Sequence, residues 1–456
     1  MALHPEEVFL KVAVFGHYGQ KNLGDEALVS AVFQNLTARL PSVKLIGLSL
    51  NPSDTQERHG VRSAPIRQEV SCVPDRPPRD LGETREARGI NSGIKQLLKR
   101  RARWLFRMIL SCREALSTIA SGGVEVVLLL RSIHVLRGTD LFIIAGSNQI
   151  MDSFGGVWGF PYTVFKWTVL ARLLGARVAF LSVGANPLAA AASRGMYRLA
   201  LRSAHYISVR DCGSQTIVRS LVPDLVSKVT PDLAFSLNAF TNHSQPILLQ
   251  SPPQSGTIGI NLMPIFDPRY WPEANPEKYC RYVDAHAGLI RHLLQEGRRV
   301  VLFGSQPADE WVADDIINQL DGCDITDASV TSLKIRTVRE LIEVILMCDL
   351  VVATRFHGIL LSLRCGKPVI GINYYKKNYE LLEPFGLSRF SVEPDNLEAT
   401  TLINNFVDLW RERITIAAAI DQTTKAYRDQ LARQYDDLLA TCVGNRNESR
   451  TSRHLT

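Results

Sequence analysis

The sequence lacks long apolar runs and any regular spacing of cysteines, and each absence excludes a class of protein. No apolar stretch approaches the roughly 20 residues that a helix needs to cross a bilayer. The eight cysteines include no C-x-x-C pair, which is typical of reduced thiols in an intracellular protein. The first residues do not form a charged start followed by an apolar core, so no signal peptide is predicted. We therefore expect a cytoplasmic protein, soluble or at most peripheral at the inner face of a membrane.

Several catalytic and nucleic-acid-binding motifs are also absent. The chain contains no G-x-S-x-G, H-E-x-x-H or Walker A sequence, so hydrolase, zinc-protease and P-loop functions have no support. Zinc-finger spacing and an aromatic–basic RNA-binding signature are missing, so no nucleic-acid partner is expected. No metal-ligand cluster is visible, and neither a metal nor a cofactor is predicted. The net charge of +7 is modest for 456 residues and suits an acidic substrate or an anionic surface.

What the chain does contain is a regular alternation of strand and helix patterns. Hydrophobic residues make up 46% and charged residues 21%, as in a globular protein, and 456 residues predict two domains. Short apolar runs predict strands over residues 11–16, 44–50, 140–145, 177–183, 206–209, 257–262, 299–304, 350–353 and 368–373. Helical patterns lie between and after them, among them 279–294, 338–347 and 402–439. Such alternation predicts α/β domains with parallel sheets.

A change of composition over Leu237–Gly256 toward Asn, Ser, Pro and Gln predicts the linker between the two domains. We expect an N-terminal Rossmann-like domain over residues 1–240, with a basic insertion at about 71–121, and a C-terminal Rossmann-like domain over 257–400. Residues 401–456 are predicted to add C-terminal helices and a polar tail. Two such domains facing each other place a cleft between the carboxyl ends of their sheets, where ligands bind in open α/β folds.

The segment from Asp349 to Gly358 places an arginine and a histidine where an apolar strand gives way to a helix. A helix N-terminus favours anions, Arg355 can hold a phosphate or carboxylate through two hydrogen bonds, and His357 can move protons near neutral pH. This pattern predicts a site for a small phosphorylated acid. The alternative is structural: Arg355 pairs with a carboxylate of the fold, and His357 is a half-buried residue at the start of the helix.

A second candidate loop, Gly16–Asp25, connects the first strand to the first helix. It is rich in glycine but lacks the G-x-G-x-x-G of a dinucleotide site. Gly19 could allow close approach of the backbone to a ligand, and Asn22 and Asp25 could hold sugar hydroxyls or act in proton transfer. In the alternative interpretation the loop is a tight turn in which Asp25 caps the helix.

Further strand ends supply more candidate binding residues. Gly146 and Ser147 form a small-residue turn after an apolar strand. The nearby segment Phe154–Tyr162 interleaves aromatic residues with glycine, which suits either stacking on a sugar ring or filling the core. Arg210 is a second candidate anion clamp, or alternatively the partner of a neighbouring carboxylate. Lys377 could bring further positive charge to a phosphate, although lysine runs are usually solvated.

Together these segments resemble the polysaccharide pyruvyltransferase family. The resemblance covers roughly residues 11–385 and rests on Y-G-x-x-N-L-G-D at 18–25, G-S at 146–147, S-V-R-D at 208–211, P-D at 231–232, T-R-F-H-G at 354–358, G-K-P-V-I at 366–370 and Y-x-K at 375–377. It implies a fold like that of two-domain GT-B glycosyltransferases. It also implies transfer of pyruvyl from phosphoenolpyruvate onto two hydroxyls of a sugar, forming a cyclic ketal and releasing phosphate. The family's glycine triplet after the third strand is replaced here by Ala145-Gly146-Ser147.

The resemblance gives the candidate residues roles, with the acceptor on the N-terminal domain and the donor on the C-terminal domain. Phosphoenolpyruvate carries a phosphate and a carboxylate, so Arg355, Arg210 and a helix N-terminus would form its clamp, with Lys377 adding charge. His357 is the candidate for protonating its methylene carbon, and Asp25 is the candidate base on the acceptor hydroxyl. The remaining candidates for substrate binding are Asn22, Gly19, Gly146 and Ser147.

The insertion carries a basic segment at about 95–109, with lysine and arginine among tryptophan, leucine and phenylalanine. Such a helix could lie on an anionic membrane, where a lipid-linked saccharide acceptor would be found. The alternative is a solvated helix or a disordered loop. Two other functions also stay open: a GT-B-type glycosyltransferase that uses a nucleotide sugar, and a catalytically inactive family member with a binding role.

Overall fold

The computed structural model of the chain describes residues 10–67, 125, 127–153, 155–238, 255–271, 273–320 and 329–444. Within these ranges the chain forms two parallel β-sheets with helices around them. The predicted insertion at 71–121, with its basic segment at 95–109, lies outside the described residues, as do most of the predicted linker and the polar tail. In the described part of the chain, no helix is long and apolar enough to cross a membrane.

The N-terminal sheet consists of eight strands. These are β1 (Lys11–Phe15), β2 (Lys44–Ser49), β3 (Ser63–Pro65), β4 (Leu141–Ala145), β5 (Asn148–Ile150), β6 (Arg177–Ala185), β7 (Tyr206–Val209) and β8 (Lys228–Val229). Its helices are α1 (Leu23–Arg39), α2 (Pro52–His59), α3 (127–136), α4 (Phe160–Leu173), α5 (Ala191–Arg202) and α6 (Cys212–Leu221). The strand order is β3-β2-β1-β4-β6-β7-β8, with β5 paired to β6.

The C-terminal sheet consists of six strands. These are β9 (Thr257–Asn261), β10 (Arg299–Phe303), β11 (Val330–Leu333), β12 (Leu350–Ala353), β13 (Val369–Ile372) and β14 (Ser391–Val392). Its helices are α7 (Pro276–Gln295), α8 (Asp309–Gln319), α9 (Val338–Met347), α10 (Phe356–Arg364), α11 (Lys376–Leu382) and α12 (Ala399–Leu439). The strand order is β11-β10-β9-β12-β13-β14.

The central strands form because their sequences are apolar throughout. β4 (L-F-I-I-A) and β12 (L-V-V-A) are buried at every position, as expected for parallel strands covered by helices on both faces. Polar residues at the helix ends set where helices begin. The clearest case is α9, where Thr337 and Glu340 form a reciprocal capping box.

In each sheet the strand order reverses between two neighbouring strands. The reversal lies between β1 and β4 in the N-terminal sheet and between β9 and β12 in the C-terminal sheet. Loops leave such a point in opposite directions and open a crevice at the carboxyl ends of the strands. The two crevices meet where the N–H of Leu23 donates to the carbonyl of Ser305 at 2.9 Å. The loops that carry Asp25, Ser147 and Arg355 all leave from these two points.

The long helix α12 links the two sheets. It packs against α7 in the C-terminal half and against the 3-10 turn Leu233–Ser236 in the N-terminal half. Near its end, Gln434 hydrogen-bonds the buried hydroxyl of Ser182 at 3.1 Å, and Asp437 pairs with Lys228 at 2.6 Å. The helix predicted over 402–439 is therefore present, and it contacts both halves. The predicted domain bounds stay predictions.

Candidate active site

A cavity of about 450 Å³ lies where the carboxyl ends of the two sheets meet. Seven of the nine residues predicted to bind or transform a substrate line it. They are Asn22, Asp25, Ser147, Arg210, Arg355, His357 and Lys377. The first four follow strands β1, β4 and β7, and the last three follow β12 and β13. The cavity is therefore built from both halves of the chain.

Asp25 lies in the first turn of α1 and faces the cavity. Its carboxylate accepts hydrogen bonds from Asn22 Nδ2 at 2.7 Å and from Ser147 Oγ at 3.2 Å. Asn22 Oδ1 accepts the N–H of Gly24, so Asn22, and not Asp25, caps the helix. Burial and the neighbouring Glu26 raise the pKa of Asp25 to about 7. The carboxyl is therefore close to half ionised at neutral pH, which suits a general base.

The other two predicted residues, Gly19 and Gly146, do not line the cavity. Gly19 has a φ of +86°, and a side chain there would collide with the backbone of Asn51. Its N–H donates to the buried carboxylate of Glu26 at 2.7 Å, so this donor is already used. Gly146 packs against Leu28 of α1. Both glycines shape the loops that carry the site, and their predicted contact with a substrate stays a prediction.

Arg355 connects the cavity to the core of the C-terminal half. Its Nε and Nη2 donate to the carboxylate of Asp309, with an Nε–Oδ2 distance of 3.1 Å. Asp309 also accepts the backbone N–H groups of Ser305 and Gln306, at 2.8 and 3.0 Å. Burial by itself would lower the pKa of Arg355, but the Asp309 carboxylate raises that pKa above its ordinary value. Arg355 therefore pairs with a carboxylate of the fold, as the structural alternative predicted, and it also lines the cavity.

Arg210 also has partners within the protein. Its Nη2 donates to Asn148 Oδ1 at 2.8 Å, and its Nη1 lies 3.4 Å from the Asp232 carboxylate. The guanidinium carbon lies 5.0 Å from the centroid of the Phe356 ring. Because Phe356 begins α10, this contact links the end of β7 to the helix that carries His357. An anion in the cavity would therefore meet a guanidinium that is already held in position.

His357 lies against the start of α1. A Cβ at Gly24 would lie 2.1 Å from His357 Nδ1, so only glycine leaves room for the ring. Within the described part of the chain, Nε2 is buried and has no hydrogen-bond partner. Burial lowers the pKa of His357 to about 4, and the nearby cations Arg210 and Lys377 act in the same direction. The ring is therefore neutral at neutral pH, with its buried Nε2 left unpaired among the described residues.

Lys377 lies in the first turn of α11 and forms no ion pair with any described residue. Burial and the nearby Arg210 lower its pKa to about 8, while Asp25 acts in the opposite direction. Its ammonium lies 5.4 Å from the centroid of the Phe356 ring. The group is mostly charged at neutral pH, so it can attract an anion, and it can release a proton near pH 8.

Sequence reasoning misses three side chains that build this site. Asp309 holds Arg355, and Arg67 adds a cation to the cavity wall. Asn378 Nδ2 donates to the carbonyls of Thr354 and Ile372, at 3.2 and 3.3 Å, and so ties together the ends of β12 and β13. Each of the three lies two to six residues beyond the end of a strand. A polar residue within six positions of a strand end is the sequence signal that the three share.

The aromatic segment near Ser147 contributes to the site through one ring. Phe160 lines the cavity and stacks on His17, with ring centroids 3.5 Å apart. Trp158 is 74% exposed, and Phe154 lies outside the described residues. Two uses were predicted for this segment, stacking on a sugar ring and filling the core. Trp158 does not fill the core, because most of its side chain is exposed.

The charges of the cavity define what it can do chemically. Arginine and lysine side chains from both halves surround one carboxyl that titrates near neutral pH. Among the residues that the structure describes, no group of three or more His, Cys, Asp or Glu side chains could hold a metal ion. The arrangement suits an anionic ligand placed beside a hydroxyl that loses its proton.

The fold matches that of solved GT-B proteins. A putative UDP-N-acetylglucosamine 2-epimerase from Listeria monocytogenes aligns with a TM-score of 0.55 at 10% identity, covering 95% of this chain and 96% of that one. The UDP-GlcNAc 2-epimerase from Neisseria meningitidis, bound to UDP-GlcNAc, aligns with a TM-score of 0.53 at 10% identity over 94% and 99%. Anabaena HepE, in complex with UDP and glucose, gives 0.50 at 13% identity over 94% and 100%. The GT-B-like fold predicted from the sequence is confirmed.

A sequence match gives the family within this class of two-domain α/β proteins. The family model for polysaccharide pyruvyl transferase matches residues 22–376. The chain therefore belongs to the polysaccharide pyruvyl transferase family, a family of transferases that act on saccharides. A search of curated proteins found no match.

Proposed function

We propose that the protein transfers the pyruvyl group of phosphoenolpyruvate onto two hydroxyls of a saccharide, forming a cyclic ketal and releasing phosphate. The observation that carries the proposal is one cavity shared by Asp25 and Ser147 of the N-terminal half and Arg355, His357 and Lys377 of the C-terminal half. A cationic wall thereby faces a carboxyl whose pKa of about 7 suits deprotonation of a hydroxyl. Membership of the family supports the same class of reaction.

Donor binding is assigned to the C-terminal wall of the cavity together with Arg210 of the N-terminal half. Arg355 precedes α10, whose N-terminus offers unpaired N–H groups and the positive end of the helix dipole. Arg355 and Arg210 already share their charges with Asp309 and Asp232. We therefore expect the two arginines to orient the donor through hydrogen bonds, and Lys377 to supply most of the net attraction.

The proposed reaction balances with the groups in the cavity. A proton adds to the methylene carbon of phosphoenolpyruvate and leaves an oxocarbenium-like centre at C2. One sugar hydroxyl attacks C2 while Asp25 accepts its proton. The C2–O bond to phosphate then breaks, with its electron pair leaving on the phosphate. The second hydroxyl closes the ketal at C2. Of the two hydroxyl protons, one replaces the proton used at the methylene carbon and the other leaves on phosphate.

His357 is the proposed proton donor to the methylene carbon. Burial and the surrounding cations hold its pKa near 4, so it has to gain a proton when the donor binds. A donor with a phosphate and a carboxylate would offset those cations and raise the pKa. Ring ¹⁵N shifts of His357, followed over pH with and without phosphoenolpyruvate, measure this change. An unchanged pKa would move the proton transfer to Lys377, whose own pKa is about 8.

The proposed acceptor is a polysaccharide or its lipid-linked precursor. Phosphoenolpyruvate is a cytoplasmic metabolite, so we propose that the protein acts in the cytoplasm, at the inner face of the membrane if the acceptor is lipid-linked. Contact with that surface would be made by the basic segment at 95–109. This segment lies outside the described residues.

Calorimetric binding of phosphoenolpyruvate, UDP-glucose and UDP-N-acetylglucosamine tests the choice of donor. We expect saturable binding of phosphoenolpyruvate and no binding of either nucleotide sugar. The variant His357→Ala should still bind phosphoenolpyruvate but should no longer release phosphate from it. Lys377→Met should weaken donor binding by roughly tenfold or more, because it removes a charge that faces the donor. Lys376→Met is the matched control, since the neighbouring Lys376 side chain is 88% exposed and pairs with Glu380.

Arg355→Lys tests the role of Arg355 in donor binding. It keeps a cation beside Asp309 but loses the planar, two-pronged geometry, whereas Arg355→Ala would leave that buried carboxylate without its partner. We expect weaker donor binding in a folded protein. Binding of a nucleotide sugar without phosphoenolpyruvate would favour the glycosyltransferase alternative. Binding of neither donor would favour the inactive family member.

A further inference from the structure

A second cavity of about 950 Å³ lies beside the candidate active site, at the carboxyl end of the C-terminal sheet. Its walls come from the segment between β9 and α7, from Trp311 of α8, and from the residues that follow β13 and β14. Tyr374 lines both cavities. The volume is near the upper end of the roughly 300–1,000 Å³ of small-molecule sites. The reaction described above makes no use of this space.

Aromatic side chains dominate the walls of the second cavity. The rings are Phe266, Tyr270, Trp271, Trp311, Tyr374 and Tyr375. Trp271 meets Tyr374 edge to face, with centroids 5.8 Å apart, and Tyr374 lies 4.3 Å from Tyr375. Rings that support each other in this way keep fixed orientations. They provide flat apolar surfaces of the kind that the C–H face of a sugar ring covers.

The polar groups of the second cavity differ in sign from those of the first. Three carboxylates, Glu273, Glu393 and Asp395, line it, of which Asp395 pairs with Lys278. The one guanidinium that lines it, Arg269, pairs with two other aspartates. Asn373 also lines it, and its buried Oδ1 has no hydrogen-bond partner in the described part of the chain. Carboxylate and amide oxygens accept hydrogen bonds from hydroxyl groups. The cavity therefore suits a ligand with many hydroxyls and no negative charge.

We propose that the second cavity is a saccharide subsite that holds glycosyl units of the acceptor that do not react. The sugar to be pyruvylated would lie beside Asp25, and the adjoining units would pass Tyr374 into the aromatic cavity. The inference rests on the proposed function and extends it, because it places part of the acceptor on the C-terminal half. The opposite charges of the two cavities would separate the substrates: cations hold the anionic donor in one, and carboxylates repel it from the other.

Saturation-transfer NMR of the full chain with four uncharged methyl glycosides tests the proposal: the glucoside, galactoside, mannoside and N-acetylglucosaminide. We expect saturable binding of at least one, weakened about tenfold or more in Trp271→Ala and in Trp311→Ala, because each removes a large aromatic face. Trp158→Ala is the matched control and should bind as the wild type does. It also removes a tryptophan, but one that is 74% exposed and lines neither cavity.

A second readout does not depend on the alanine variants being folded. The bound glycoside should change the tryptophan fluorescence of the wild type. It should not change that of Trp271→Phe/Trp311→Phe, which keeps aromatic rings in the cavity but loses both reporters. Persistence of the fluorescence change in the phenylalanine variant would place the glycoside elsewhere.

The outcomes separate this subsite from the proposed reaction. Loss of glycoside binding with retained phosphoenolpyruvate binding in the tryptophan variants supports the subsite. Failure of all four glycosides to bind, or binding that neither tryptophan affects, overturns it even if phosphoenolpyruvate binds. Binding of UDP that depends on Trp271, without glycoside binding, would assign the cavity to a nucleotide and also overturn it. Absence of phosphoenolpyruvate binding in the wild type counts against the proposed reaction alone.

Discussion

At the scale of single residues, the site depends on close contact between the first turn of α1 and side chains of the C-terminal half. Leu23 is held by the carbonyl of Ser305, and the next residue, Gly24, lies directly against the His357 ring. Asp25 then faces the cavity, with its carboxylate fixed by Asn22 and Ser147. Two neighbouring positions of one helix therefore set the place of the proposed base and of the proposed acid.

Gly24→Ala should lower turnover without unfolding the protein. The added Cβ would lie 2.1 Å from His357 Nδ1, so the ring has to move. A displacement of about 1 Å can reduce a rate by roughly 10²-fold, and we expect a loss of that order in kcat. Gly195→Ala is the control, because the glycine lies within α5 with nothing near its added Cβ. Equal kcat in wild type and Gly24→Ala would show that the ring position does not matter.

The pH dependence of kcat/KM should be bell-shaped. Asp25 has to be deprotonated to act as a base, so activity should fall as the pH drops below its pKa of about 7. Lys377 has to be protonated to attract the donor, so activity should fall as the pH rises above its pKa of about 8. Lys377→Arg should remove the alkaline limb, because arginine stays charged. A profile that is the same in Lys377→Arg would exclude Lys377 as its cause.

At the scale of elements, central strands and edge strands differ in how well the sequence predicts them. All nine predicted strands are present within one or two residues at each end, because the centre of a parallel sheet needs apolar residues on both faces. The strands without a sequence signal are short, and they include β3 (S-A-P), β8 (K-V) and β14 (S-V). These lie at or next to sheet edges, where two or three residues of almost any type can pair.

The buried pair Asp309–Arg355 ties the start of α8 to the start of α10. Asp309→Asn should lower the free energy of unfolding by about 3–5 kcal/mol, because it leaves the buried guanidinium without a counter-charge. The double variant Asp309→Asn/Arg355→Met should regain most of that stability but not donor binding. Urea denaturation and calorimetry measure the two effects.

Arg389→Ala is the control for this prediction, since its pair with Glu412 is about half exposed and should contribute no more than about 1 kcal/mol. Wild-type affinity for phosphoenolpyruvate in the double variant would show that the Asp309–Arg355 pair is structural only.

At the scale of the whole molecule, α12 decides how the two halves are held together. Gln434 is 2% exposed and reaches the Ser182 hydroxyl of the N-terminal sheet, 252 residues away along the chain. We expect Gln434→Ala to lower the free energy of unfolding by about 1–3 kcal/mol, because it leaves a buried polar site unsatisfied. Donor binding should be unchanged, since Gln434 does not line the cavity.

Lys228→Ala is the comparison for Gln434→Ala, because both residues contribute to the contact between α12 and the N-terminal sheet. Its ion pair with Asp437 also links α12 to the N-terminal sheet, but both side chains are about half exposed. The loss should be within about 1 kcal/mol. A larger loss from Lys228→Ala than from Gln434→Ala in thermal or urea denaturation would contradict the view that the buried contact dominates.

The sequence by itself determined the alternation of strands and helices, the two sheets, the GT-B-like class and the position of candidate residues at strand ends. The alternation, the sheets and the residue positions follow from local apolar patterns and from the rule that the carboxyl ends of parallel strands share an edge, whereas the GT-B-like class is what the resemblance to the pyruvyltransferase family implied. Only the tertiary structure decided that Arg355 pairs with Asp309, that Asn22 caps α1, that Gly19 and Gly146 do not line the cavity, and that an aromatic cavity adjoins the site. Those outcomes depend on which side chains meet across dozens or hundreds of residues, and local spacing carries no information about such contacts.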